Sequence, residues 1–317
     1  MWKCIVAFIV VVFLVAIVVG QDNEEDPLGG NSDVDVIANY QSESSDSTIV
    51  RLSSVNKDIP IVDKLDDINL EVLLINKETP QQFLDRISYA ASYNKNTKCP
   101  NWVAWLLTAE HTDGDFVRKG VPYLNGVGEA CGIGMVNREI SKGDYFVDME
   151  VAAPRPDFDD WAEMPDGMSH GHMCPAGDNK WSKAAMNQSF LLTNMCPQDA
   201  SLNSGGWRKL EEKCRDWAKQ YGDIYIVTGP VFYDGVKRSF GKNKIGIPDA
   251  FFKVVLCTNG MPKAIGFIYS NDDSNQSMNR NVQSVDEIEE VVGMDFFHHL
   301  PDSIEGSVEE MKDLVVW

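Results

Sequence analysis

Residues 166–180 read DGMSHGHMCPAGDNK and set two histidines, His170 and His172, two apart in a chain of 317 residues that has five histidines in all. If residues 169–173 are extended, both imidazoles leave from one face, because side chains alternate along a strand. Three chemistries fit that spacing. The pair could ligate Zn²⁺ together with Cys174, one step further along the face, and a fourth ligand from His298 or His299. It could carry acid–base catalysis, for which imidazole titrates in the useful range. It could also be a polar strand face with no chemistry at all.

Outward from this stretch, WVAWLLT (102–108), DYFVDMEVA (144–152), DIYIVTGPVF (223–232), AFFKVVLC (250–257) and KAIGFIYS (263–270) are rich in β-branched and aromatic residues and bounded by turn formers. They read as the strands of one core sheet. SKAAMNQSFLLTN (182–194) reads as a helix with Ser182 as its N-cap. In GGWRKLEEKCRDWAKQYG (205–222), Trp207, Leu210, Cys214, Trp217 and Ala218 recur at helical spacing and Gly222 supplies the stop. Ser284 and Glu287 have the spacing of a capping box. The class is α+β.

On the 205–222 helix, Glu211 falls about 40° from Trp207, at the edge of the apolar stripe. Arg215 stands four residues on, the spacing of an ordinary helical ion pair. Asn194, Gln198 and Asn203 lie between the two helices. Amide oxygens bind hard cations, and the same residues are common in turns.

Charge is unevenly distributed. Residues 21–80 hold fourteen acids and four bases, residues 270–317 twelve and two, and residues 81–269 twenty-two and twenty-one. A polyanionic partner is therefore disfavoured by the ends of the chain and not by its middle. Lys180, Lys183, Arg208, Lys209, Lys213, Arg215 and Lys219 cluster around the histidine stretch, as expected of a phosphate-binding face or of solvated helix positions.

Residues 1–20, one lysine and then an apolar run ending at Gly20, have the layout of a secretory signal peptide. Uncleaved, the run would be an anchor that tethers the folded domain outside the cytoplasm, since it is near the lower limit of a bilayer span. Acidic, Ser/Asn/Gly-rich residues 21–67 read as a disordered linker, followed by a folded domain over 68–317. Beyond the leader, Cys99, Cys131, Cys174, Cys196, Cys214 and Cys257 allow either disulfides, in an exported chain, or buried free thiols.

SHGHMCPAGD, NQSFLLTNMCPQ, LNSGGWRKLEEKCRDWA and IYIVTGPVF, with CPNWVAWLLT upstream and SVDEIEEVVGMDFFHHLPD downstream, together resemble the DNA/RNA non-specific endonucleases. That family belongs to the ββα-metal (His-Me finger) superfamily, which includes mitochondrial endonuclease G. The likeness covers roughly residues 70–317.

It implies a central antiparallel sheet flanked by helices and cleavage of DNA and RNA to 5′-phosphate ends, with contacts to the phosphate backbone. His172 matches the general base and Asn203 the protein ligand of a single Mg²⁺, with Mn²⁺ as its substitute. Asn194, Gln198 and Glu211 match positions that orient the hydrated ion, and Arg215 an arginine that supports the phosphate. Homodimers occur in the family.

Two positions depart from the Asp-Arg-Gly-His signature: Ser169 replaces the Asp and His170 the Arg. Arginine is always charged and forks to two oxygens, whereas histidine offers at most two donors. The departure implies a lower rate, a more acid optimum, or an inactive nucleic-acid-binding pseudonuclease. A structural zinc protein built on His170, His172 and Cys174 is the more distant alternative.

Overall fold

Four of the expected apolar runs become long strands because each buries both of its faces. The computed structural model describes residues 74–75, 78–116, 141–142, 145–272 and 277–317, which belong to one compact unit. The expected leader (1–20), the acidic linker (21–67) and Cys131 lie outside them. The main strands are β1 (Gln82–Asp85), β2 (Ala90–Asn94), β3 (Cys99–Leu107), β4 (Met168–His172), β5 (Met195–Asp199), β6 (Ile224–Val231), β7 (Ala250–Cys257), β8 (Lys263–Ser270) and β9 (Val282–Gln283). Seven form one antiparallel sheet in the order β9-β8-β7-β6-β3-β2-β1. β4 and β5 stand apart as an antiparallel pair.

The alternation along β7 shows how the layers arise. Phe251, Val255 and Cys257 enter the core on one face, while Phe252, Val254 and Leu256 enter the core on the other. The main helices are α1 (Phe158–Ala162), α2 (Lys183–Ser189), α3 (Arg208–Tyr221), α4 (Val285–Val292) and α5 (Asp302–Glu309). Leu210, Cys214 and Trp217 of α3 pack on the first face with Met173, Met195 and Cys196 from the hairpin region. Val285 and Ile288 of α4 and Val308 of α5 cover the second face.

α4 begins with the expected capping box, Ser284 Oγ taking the Glu287 amide and Glu287 the Ser284 amide. α3 ends at Gly222, whose φ of 90° is open to glycine.

Two elements are shorter than expected. The strand over 144–152 is confined to Tyr145–Phe146, because Asp148 turns inward to pair with buried Arg86 and accept from Thr193. The helix over 182–194 stops at Ser189 because Leu191 is extended, and Leu192–Asn194 follow as a 3₁₀ turn. The five described cysteines are all buried free thiols. Among the described residues no helix is long and apolar enough to cross a membrane.

Candidate active site

Pairing of β4 with β5 sets Ser169 opposite Gln198 and His172 opposite Met195. Asn194 fixes the point where β4 ends. Its Oδ1 accepts from the Cys174 amide at 2.9 Å, and its Nδ2 donates to the carbonyls of Cys174 and Ser189 at 2.8 Å each. The whole amide is engaged with backbone, so Asn194 positions His172 through the chain that follows it.

His170 and His172 share a face, as the alternation requires, and Tyr145 reaches both. The His170 ring lies between Tyr145 and Trp161, stacked at centroid distances of 4.3 and 4.2 Å. Trp161 is carried by α1, whose first turn is closed by an Asp157–Asp160 capping box. His172 meets Phe190 edge-on at 4.9 Å and 89°.

Gly171, between the two histidines, leaves room for Gln198: a β-carbon there would stand 2.5 Å from Gln198 Oε1. Gly171→Ala should therefore force Gln198 out of place, costing about 1–3 kcal/mol of stability as overpacking does and lowering activity. Urea unfolding checks it, and a variant as stable as wild type would refute the fit.

Asn203 approaches β4 from the helical segment after β5. That segment starts at Asp199, whose carboxylate takes the Ser201 and Leu202 amides. It then passes through a π-helical turn over Asn203–Trp207 before becoming α3. Such turns recur at functional sites because they re-aim side chains within a helix. Asn203 Nδ2 donates to Ser169 Oγ at 2.9 Å and to the His170 carbonyl at 3.4 Å, so Oδ1 is the atom left for another partner. Gln198 is fully buried, and neither amide atom has a hydrogen-bond partner.

Beneath lies a set of four charges. Arg215 gives its guanidinium to Asp178 at 2.8 Å, so its ion pair is with Asp178 and not the helical pair with Glu211 that the spacing predicts. Gly177 makes this approach possible, since a β-carbon there would stand 2.8 Å from the Arg215 guanidinium. Asp178 also accepts from the Trp105 indole at 3.1 Å, and its pKa is raised by burial against the pull of Arg215.

Glu211 is partly exposed at the edge of the stripe, beside buried Leu210 and Cys214. Burial pushes it up to about 7, opposed by Lys253 and then Arg215. Lys253 is buried on β7 with its ammonium 5.0 Å from the Trp105 ring and 4.7 Å from that of Trp207.

The raised Glu211 makes a pH prediction. A carboxyl with a folded pKa near 7 and an ordinary value of 4.5 binds its proton more tightly when folded. Its contribution to stability is present below about 4.5 and lost as pH rises through about 7. In metal-free protein, Glu211→Gln should lose less stability than wild type between about pH 5 and 8. Equal pH slopes in urea unfolding would remove this assignment.

Asp178, Lys253, Tyr145 and Trp161 are site residues that the sequence reading passed over. Lys253 had a signal, as the one charge inside AFFKVVLC. The two aromatic partners of His170 had none, being 25 and 9 residues away in sequence.

The zinc arrangement is not formed. Among the described residues, no three of His170, His172, Cys174, His298 and His299 bring their ligand atoms together. The Cys174 thiol accepts from Asn179, and His298 packs on His299. His111 stacks on Trp181. Of the basic cluster, Arg208 pairs with Glu212 and Lys213 lies 5.6 Å over Trp217.

A two-stranded hairpin followed by a helix that returns Asn203 to its first strand defines a ββα-metal fold. Residues 74–303 match the DNA/RNA non-specific endonuclease family, and the chain belongs to it. It is 30% identical to the mitochondrial nuclease EXOG of Xenopus laevis over 230 residues, 68% of this chain and 58% of that protein. It is 32% identical to Nuclease C1 of Cunninghamella echinulata var. echinulata over 245 residues, 73% of this chain and 88% of that protein. The chain thus spans less than two thirds of the EXOG relative. Its fold is shared with a crystal structure of an EndoG/EndoGI complex at TM-score 0.56 and 23% identity, covering 70% of this chain and 87% of that one.

Proposed function

We propose that the chain is a metal-dependent, sugar-non-specific endonuclease that hydrolyses phosphodiester bonds in DNA and RNA and leaves 5′-phosphates. The observation that carries this reading is the tie of Asn203 to Ser169 and to the His170 carbonyl, two residues before His172. It brings an unused amide oxygen to the strand that carries the imidazole.

These residues fit a hydrated hard cation. Asn203 offers oxygen, and buried Gln198 has an unpaired donor and acceptor that water of the ion's shell would satisfy. Glu211 adds a carboxylate nearby in the fold. Mg²⁺, which keeps several waters and takes few protein ligands, suits this donor set, with Mn²⁺ as a substitute. When bound, the ion offsets charge on the scissile phosphate and the leaving 3′-oxygen.

His172 takes the proton of the attacking water, its ring held by the edge contact with Phe190. Glu211 and Gln198 orient the ion's waters. Arg215, anchored on Asp178 and partly exposed, presents positive charge to the phosphate. His170 offers an N–H donor to a phosphate oxygen from between the stacked rings of Tyr145 and Trp161. Contacts confined to the backbone of the nucleic acid make the enzyme tolerant of base and sugar.

Incubating plasmid DNA and structured RNA with Mg²⁺ or with EDTA, over about pH 5–8, tests the reading. Cleavage of both polymers that EDTA abolishes supports it. A folded sample that cuts neither would make the chain a nucleic-acid-binding pseudonuclease. In the active case His170→Arg should gain activity at about pH 8 relative to pH 6, because guanidinium keeps its charge where imidazolium loses it. A pH profile of kcat/KM with no such relative gain would deny His170 a phosphate-binding role.

Export is proposed from residues 1–20 alone, and the EXOG relatives carry the word mitochondrial in their names. N-terminal sequencing of the mature protein decides it, Gln21 as the first residue being the expected result.

A further inference from the structure

On the sheet face away from the histidines, α4 and α5 bring three carboxylates together. Asp286 and Glu289 come from α4 and Glu309 from the last residue of α5, with ligand oxygens all within 4.8 Å of one another. The neighbouring packing, Val285 and Ile288 against Val308, makes this a fixed meeting of two helices.

A cluster of acids on a surface is commonplace, and Glu309 sets this one apart. It is 6% exposed, and its Oε1 is buried without a hydrogen-bond partner. A buried carboxylate oxygen with no donor carries a desolvation cost, and in native structures such a group has a reason. No base supplies that partner. Residues 270–317 contain two, Arg280 and Lys312, and Lys312 is committed to Glu287 and Gln283. Glu289 uses one oxygen on the Phe296 amide at 2.7 Å. The charges that act most strongly on Glu309 are those of Glu289, Glu305, Asp286 and Asp295, all acidic, so a cation is the partner this cluster lacks.

We propose that Asp286, Glu289 and Glu309 form a second cation site, separate from the hydrolytic one, which takes a hard divalent ion of Ca²⁺ size and ties α5 to α4. All-carboxylate donors select hard cations over Zn²⁺. Ca²⁺ is held by several protein carboxylates at once, whereas Mg²⁺ keeps most of its waters and takes one or two, so a set of three carboxylates favours the larger ion. The ion would supply the partner that Glu309 Oε1 lacks and would fasten the C-terminal helix to the sheet. Glu309 lies beyond the residues that match the family, 74–303.

The test uses the full chain carrying Asn203→Ala, which deletes the amide oxygen at the hydrolytic site, so a calcium signal there is removed beforehand. Titration with CaCl₂ should show one bound Ca²⁺, and a hundredfold excess over Kd should raise Tm by roughly 5–10 °C. Adding Glu309→Gln should abolish both the calcium heat and the Tm rise. If Glu309→Gln does not fold, Asp286→Asn, half-buried on α4, replaces it. Absence of calcium binding in Asn203→Ala, or an undiminished Tm rise in the double variants, would overturn the proposal. Failure of the nuclease reading would appear in the cleavage assay and leave this result untouched.

Discussion

Replacing the proposed general base, in His172→Ala, should lower cleavage of both DNA and RNA by about 10²–10⁴-fold while leaving the fold intact. The size follows from removing a positioned general base, which contributes about that much in enzymes generally. The fold survives because the β4–β5 pairing at this point is backbone to backbone, His172 opposite Met195. The imidazole meets Phe190 edge-on and lies tilted to Tyr145 at 6.5 Å. Single-turnover cleavage with Mg²⁺, alongside a thermal melt, checks both halves. A variant that is folded and cuts within tenfold of wild type would deny His172 the role of base.

Lys253→Met should lower stability by about 3–5 kcal/mol near pH 8, the range seen when one side of a buried charge arrangement is removed. The methionine keeps the bulk of the side chain, so the change isolates charge. Lys253 offsets Glu211 and also acts on Asp178, and its ammonium faces two indole rings. Without it, Arg215 alone opposes buried Asp178 and partly exposed Glu211.

The loss should shrink near pH 5, where Glu211 takes up a proton and stops needing a counter-charge, and it should be partly recovered by adding Glu211→Gln. Urea unfolding of the two single variants and the double one measures the coupling. Additive effects would mean that Lys253 acts through packing alone.

Much of the frame was legible before any coordinates. Strand β7 was visible in AFFKVVLC and β8 in KAIGFIYS. The capping box at Ser284 and the stop at Gly222 mark helix ends by rules that need only local contacts. Glu211 was placed at the stripe edge by angle, and it is the partly exposed residue beside buried Leu210 and Cys214. DYFVDMEVA misled because an apolar alternation cannot show that Asp148 will turn inward to meet Arg86, 62 residues away.

Neighbours along the chain set the strand periods, the helix caps, the shared face of His170 and His172, and the motif likeness that marked the family. Which distant groups meet depends on the fold. Arg215 had Glu211 in prospect four residues back, and the fold sets it beside Asp178 with Gly177 making way. Lys253 was one charge in a strand until packing set it between two tryptophans and facing Glu211. Glu309 was one more acid in an acidic tail until α5 turned it inward toward α4. The physical reason is range: hydrogen-bond and steric preferences act over a few residues. Desolvation and charge pairing are decided by the three-dimensional neighbourhood, which no local pattern encodes.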